Sequence, residues 1–368
     1  MTANMEKWNN YDREKERFVE PVCDELQYCG RIDDRDVDAP VFTMPGSFVR
    51  MKFTGSAYVK AVVVNKTYYN ESWVGVLLDQ DQAKKKIDKE GQPVVLTLAE
   101  NLEKGEEHMV TFFKRMDHSH EYAFLGFLLE YGARVLKAAD LPRKKMEFYG
   151  DGVTAGEASE ATGYCGKPDP EHKGELSNAY FSYAWATARM LHARVHLVAQ
   201  RGIALKDGTG YFMEGKRGME SCYTKVGFYG ENGENPESAE WDFHRYTPHV
   251  VVVAIGQNDA WPEDIMKEDD KGDKAGAWRE SYKEWILSLR RLYPKAWIIL
   301  TTTIREHHSG WDRSIGKVCA ELNDGRIVHF LYGENGRGTP GCVRVQEAMN
   351  MALELNGFIN GLGDVWAD

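Results

Sequence analysis

Up to about residue 145 the apolar positions fall in short runs broken by Gly, Asn and Asp. Phe48–Asn65 (FVRMKFTGSAYVKAVVVN) holds two strand-like runs parted by Thr54-Gly55. Ser72–Asp81, Gln92–Ala99, Glu107–His118 and Phe124–Leu136 follow at close spacing. Short runs with such punctuation predict a β-sandwich. After Pro142 the rhythm changes to strand alternating with helix. KKMEFYGD, Arg194–Gln200 (RVHLVAQ), His249–Asp259 (HVVVVAIGQND), Ala296–Ile304 and Arg326–Tyr332 read as strands. The unbroken apolar run after His249 is what a central parallel strand needs. Asn178–Ala193 reads as a helix capped by Ser177 or Asn178. Trp278, Tyr282, Trp285, Ile286, Leu289 and Tyr293 share one helical face, and Pro294 ends that helix. Arg344–Ile359 closes the chain as an amphipathic helix. The pattern predicts an N-terminal β-sandwich over 1–140 and a doubly wound α/β domain with a parallel sheet over 141–368.

Composition narrows the function. At 368 residues and 42% hydrophobic, the chain can bury a sizeable core. A net charge of −11 with no basic face argues against nucleic acid as a partner. The run Lys84-Lys85-Lys86 reads as a solvated loop or helix face. The polar start, MTANMEKWNNYDREKERF, has no signal-peptide core, and no stretch is long enough to span a membrane. A cytoplasmic setting is the expectation. Six scattered cysteines without a CxxC pair indicate neither a zinc site nor a disulfide framework, so no metal or other cofactor is expected. Oligomeric state stays open.

Ligands of such sheets bind at the carboxyl ends of the strands. Gly150-Asp151-Gly152, Gln200-Arg201-Gly202 and Gly256-Gln257-Asn258-Asp259 stand at strand ends, and Gly338–Cys342 (GTPGC) lies before the last helix. Each alone is an ordinary turn. Their order and spacing together resemble the blocks of the SGNH hydrolase superfamily: Gly-Asp-Ser, a Gly, Gly-x-Asn-Asp and a late His. GRID (Gly30–Asp33), MKFTGSAYVKAVV, LEKGEEHMVTFFKR and FLGFLLEYG look like the jelly roll that precedes the catalytic domain in carbohydrate esterase family 2, the acetylxylan esterase type. The resemblance implies removal of O-acetyl groups from an acetylated oligosaccharide or polysaccharide. It places the oxyanion donors at Gly152, Gly202 and Asn258. Asp259 and Trp261, an aromatic just after Asn258-Asp259, are the expected substrate contacts.

The reacting groups are missing. A serine attacks the ester carbonyl and a histidine relays its proton, but the nucleophile position is Gly152. The resemblance implies a histidine a few residues before a helix carrying a Met-Ala pair; Met351-Ala352 fit that pair, so the base position falls on Cys342, with Thr339 three residues earlier. Loss of the nucleophile costs on the order of 10⁶ in turnover. The expectation is an esterase scaffold that is inactive or nearly so, with an empty space beside Gly152 that a serine would fill. The intact surroundings favour a recent or deliberate loss. The alternatives are a carbohydrate-binding protein without catalysis, or a glycoside hydrolase using two of Asp151, Glu157, Asp259 and Glu334. A Cys342 thiolate nucleophile would need a base such as His307, His308 or His329 nearby.

Overall fold

The computed structural model describes residues 8–211, 217–229 and 238–367. The chain divides into two compact units. One is the stretch up to Leu141 together with Lys173–Glu175, and the other is Pro142–His172 with Leu176 onward.

The first unit is two antiparallel sheets. In one, β3 (Ile32–Asp33), β4 (Val41–Phe42), β11 (His120–Glu130), β6 (Tyr58–Thr67) and β9 (Pro93–Glu100) lie side by side, with β1 (Glu16–Val19) also on β11. In the other, the order is β12 (Arg134–Leu136), β5 (Phe48–Thr54), β10 (Glu107–Lys114), β7 (Trp73–Leu78) and β8 (Asp81–Lys86), with β2 (Gln27–Cys29) on β5. Val49, Met51 and Phe53 of β5 alternate inward and meet Val59, Ala61, Val63 and Phe124. The opposite face of β6 and β11 is covered too: Val62, Val64, Ala123 and Leu125 pack with Trp8, Tyr11 and Phe18. Burial on both sides explains why Val62-Val63-Val64 runs without alternation. The lysine run proves to be edge strand β8, where charged side chains discourage pairing with another chain.

The second unit is a five-stranded parallel sheet in the order β14 (Arg194–Ala199), β13 (Lys145–Gly150), β15 (Val250–Ala254), β16 (Trp297–Thr301), β17 (Ile327–His329). The chain enters at β13, steps to β14, then returns past β13 to β15. That reversal makes the carboxyl ends of β13 and β15 the switch point where ligands bind in open α/β sheets. Among the described residues seven α-helices accompany it: α1 (Gly152–Ala155), α2 (Tyr183–Met190), α3 (Met219–Cys222), α4 (Ile265–Asp269), α5 (Asp273–Leu292), α6 (Gly310–Leu322) and α7 (Val345–Gly361). Right-handed crossovers put α2 on one face and α5 and α6 on the other, and α2 packs against α7. Residues 178–193 are not one helix. Asn178 caps a 3₁₀ turn, and Ser182 then caps α2 by accepting the Trp185 N–H. Among the described residues no helix is long and apolar enough to cross a membrane.

Candidate functional site

The site begins where β13 ends. Gly150 is required there because Thr154 Oγ1 sits 2.0 Å from where a Cβ would be. Asp151 caps α1, its Oδ1 accepting the Val153 N–H at 2.9 Å. Gly152 is the first residue of α1. The space in front of it is not empty. A Cβ on Gly152 would lie 2.4 Å from Glu157 Oε2 and 3.5 Å from the Arg201 Cα. Glu157 Oε1 in turn accepts from Arg201 Nε at 2.9 Å, with Glu157 nearly buried and the Arg201 side chain 52% exposed. A carboxylate locked by a guanidinium therefore stands where a serine hydroxyl would project. The expectation of a vacant space beside Gly152 is overturned.

Asn258 reaches the site but is committed. Its Nδ2 donates to Asp151 Oδ2 at 2.8 Å and to the Ile203 carbonyl at 2.9 Å, which uses both amide hydrogens. Gln257 Nε2 donates to the same Asp151 oxygen at 2.9 Å. In this arrangement Asn258 braces the Asp151 turn and is not available as an oxyanion donor. The backbone donors differ. Neither the Gly152 nor the Gly202 N–H makes a hydrogen bond to another backbone group among the described residues. Gly202 has φ +71°, and Tyr211 rests on it, 2.8 Å from where a Cβ would be.

Asp259 does not face a ligand. It is buried, and its carboxylate accepts from the Leu205 and Lys206 N–H groups at 2.7 and 3.0 Å and from the Thr209 hydroxyl. Desolvation pushes its pKa up to about 6 against those hydrogen bonds. Its job is to hold the loop after Ile203. Trp261 is where a sugar could meet it: it is 51% exposed and stacked on Tyr211, with ring centroids 6.3 Å apart and planes within 5°. Tyr211, itself exposed, had no signal in the sequence beyond being aromatic.

Arg305, four residues beyond β16, was also missed. Burial works against its charge, but Cys342, Asp151, Tyr211 and Asp169 outweigh burial and hold it cationic. It makes no ion pair with another described residue. Cys342 is buried among Ala158, Ala161 and Leu176. Its N–H donates to Asp169 Oδ1 at 2.8 Å, and its carbonyl accepts from Arg344, which also pairs with Asp169. Burial first, then the charge of Glu157, push its thiol pKa well up, with Arg305 opposing. No histidine hydrogen-bonds to it. His307 is tied to the Arg305 carbonyl and Asp312, and His308 Nδ1 accepts from Gly310. Burial lowers the His329 pKa below the ordinary histidine value, against the nearby charge of Asp312. A thiolate nucleophile therefore has no support, while Val345 N–H donating to the Ser159 carbonyl does bring the Cys342 segment beside α1. Thr339 is buried and Glu334 is an exposed partner of Arg337. Asp151 and Asp259 are spent on their own loops, so Glu157 has no second carboxylate among the four named in the sequence reading. Among the described residues no cluster of three metal-ligating side chains occurs.

A β-sandwich followed by a parallel sheet with Gly-Asp, Gly and Gly-x-Asn-Asp turns at its switch point defines an SGNH-type esterase architecture. Residues 28–138 match the family model described as carbohydrate esterase 2 N-terminal. The cellulase/esterase CelE of Acetivibrio thermocellus is 29% identical over 300 residues, 81% of this chain and 33% of that protein. The chain thus spans about a third of that relative's length. An acetylxylan esterase / glucomannan deacetylase of Cellvibrio japonicus is 28% identical over 281 residues, 75% of this chain and 70% of that one. A family two carbohydrate esterase from Clostridium thermocellum, solved in complex with cellohexaose, superposes with a TM-score of 0.76 at 25% identity, covering 93% of this chain and all of that one. The chain is thus similar to carbohydrate esterase family 2 proteins over most of its length.

Proposed function

We propose that the cleft binds β-linked oligosaccharides, acetylated or not, and does not hydrolyse their acetyl esters by a serine–histidine route. The observation that carries this is the Glu157 carboxylate in front of Gly152, pinned by Arg201. An ester carbon placed for attack from residue 152 would meet an anion held by a partner, not a nucleophile with a base. The base position offers a buried thiol whose proton is held tightly. What remains suits binding: the Tyr211–Trp261 wall, the backbone donors of Gly152 and Gly202, and the cationic Arg305. The relative solved with cellohexaose and the glucomannan deacetylase support β-linked gluco- and xylo-oligosaccharides as the ligand class.

Isothermal titration with cellohexaose and with acetylated xylo-oligosaccharide, run beside an acetate-release assay, tests this. Saturable binding without acetate release is expected. Trp261→Ala should weaken that binding about 3- to 10-fold, the worth of one aromatic face. Acetate release at ordinary enzyme rates by the unaltered chain would end the proposal.

A further inference from the structure

The parallel sheet of the second unit has another end, away from the cleft. Lys145 opens β13, Arg194 opens β14, His249 precedes β15 and Lys295 leads into β16. With Arg143 they line a cavity of about 690 Å³, whose apolar wall is Pro248, Pro294 and Val365. Strands of five or six residues separate it from the Gly152 cleft by roughly 15–20 Å.

Among the described residues its lining holds four cations and no carboxylate, in a chain whose net charge is −11. Like charges gathered this way repel unless something offsets them. The Arg194 Nε is buried and has no hydrogen-bond partner among the described residues, and a buried donor of this kind calls for a partner. His249 adds directional chemistry. Its Nδ1 accepts the Lys145 backbone N–H at 3.2 Å, so the neutral ring carries its proton on Nε2 as a donor. Lys145 lies over the Tyr246 ring at 5.5 Å, and Lys144 over the Trp366 ring at 4.8 Å, which fixes the basic stems on aromatic faces.

We propose that this cavity is a binding site for a small oxyanion-bearing molecule. The carboxylate or phosphate would be held by Arg143, Arg194 and Lys295, and the body of the ligand would lie against the two prolines and Val365. The site uses no residue of the cleft and does not depend on what the cleft binds.

The test is titration calorimetry on the full chain at about 20 mM salt, where screening is weak. The probes are inorganic phosphate, glucuronate and, as the neutral control, glucose. Phosphate or glucuronate should bind and glucose should not. Phosphate alone points to a phosphate ester, and glucuronate alone to an acidic sugar. Raising salt to about 0.5 M should weaken the binding. Arg143→Glu with Lys295→Glu, both at exposed positions, should lower affinity at least about tenfold, since two favourable charge contacts become repulsive. Melting temperature without ligand should not change. Should the double variant melt early, Arg143→Gln alone supplies the comparison. Failure of both anions to bind at about 10 mM, equal binding of glucose, or undiminished anion binding by a folded variant would each overturn the proposal.

Discussion

Glu157 shows how far one side chain can redirect a site. In sequence it is an acid five residues after Gly152, a candidate carboxylate but with nothing to place it in front of Gly152. In the fold, α1 is a single turn and its Gly156 end returns the chain, so the Glu157 carboxylate swings back over Gly152. Arg201 arrives from the end of another strand to pair with it. Neither approach could be read from spacing, because both depend on where two strand ends meet. The motif glycines and Asn258 were legible because the turns that need them are local. The commitment of the Asn258 amide to Asp151 was not. A consequence follows for repair of the esterase. Gly152→Ser with Cys342→His should remain silent in acetate release, because the new serine would contend with the carboxylate. Adding Glu157→Ala should raise the rate by on the order of 10²-fold or more above the double variant, since the dyad acts as a unit. Equal rates for double and triple variants would show that Glu157 is not the obstruction.

At the scale of elements, the hydrophobic pattern fared best where period and burial agree. The helix carrying Trp278 to Leu289 and the strand after His249, which ends at Ala254, are both present, because one packs a single stripe and the other is buried all round. α6 went unassigned although Trp311, Ile315 and Val318 repeat at helical spacing, since its Gly310 and Gly316 dilute the signal. α6 is also anchored by chemistry that a period cannot show. His307 Nδ1 faces the Arg305 carbonyl at 2.7 Å and Nε2 faces Asp312 Oδ1 at 3.1 Å. Both atoms are acceptors, so the ring satisfies both only as the imidazolium. Burial opposes that charge, but Asp312, the Arg305 carbonyl and more distant Asp151 raise the His307 pKa. A group whose pKa rises on folding adds stability that is fully present below the ordinary histidine value of about 6.5. That stability fades as pH climbs through the raised value. Asp312→Asn should therefore cost about 3 kcal/mol in urea denaturation near pH 6, as for a broken buried pair. The cost should shrink near pH 9, and a loss that is the same at both pH values would contradict the protonated clip.

For the whole molecule, the division near Pro142 follows the change of rhythm in the sequence, but one detail lay outside it. Lys173–Glu175, some thirty residues into the later chain, belongs to the first unit. There the Lys173 carbonyl accepts the Glu71 N–H at 2.8 Å, and the Glu175 carbonyl accepts from Lys84 and Arg115. Arg115 is almost wholly buried, so losing that acceptor removes a hydrogen bond from a charge that cannot reach water. A fragment ending at Leu141 should thus be less stable than the same unit within the full chain, by about 1–3 kcal/mol. Thermal melting of the fragment, with and without a peptide covering residues 170–178, measures this; a fragment that melts like the intact unit and ignores the peptide would refute it. The basic residues around Arg194 tell a similar story, being spread over four segments and gathered only by the parallel sheet. Seen as a matter of inheritance, the Lys173–Glu175 segment binds the fates of the two units. A recombination that exchanged the sandwich at Leu141 for that of a relative would leave the new sandwich dressed with three residues selected for the old one. Each half can therefore drift only in step with a short stretch of the other's gene, which works against shuffling the sandwich as a free-standing module.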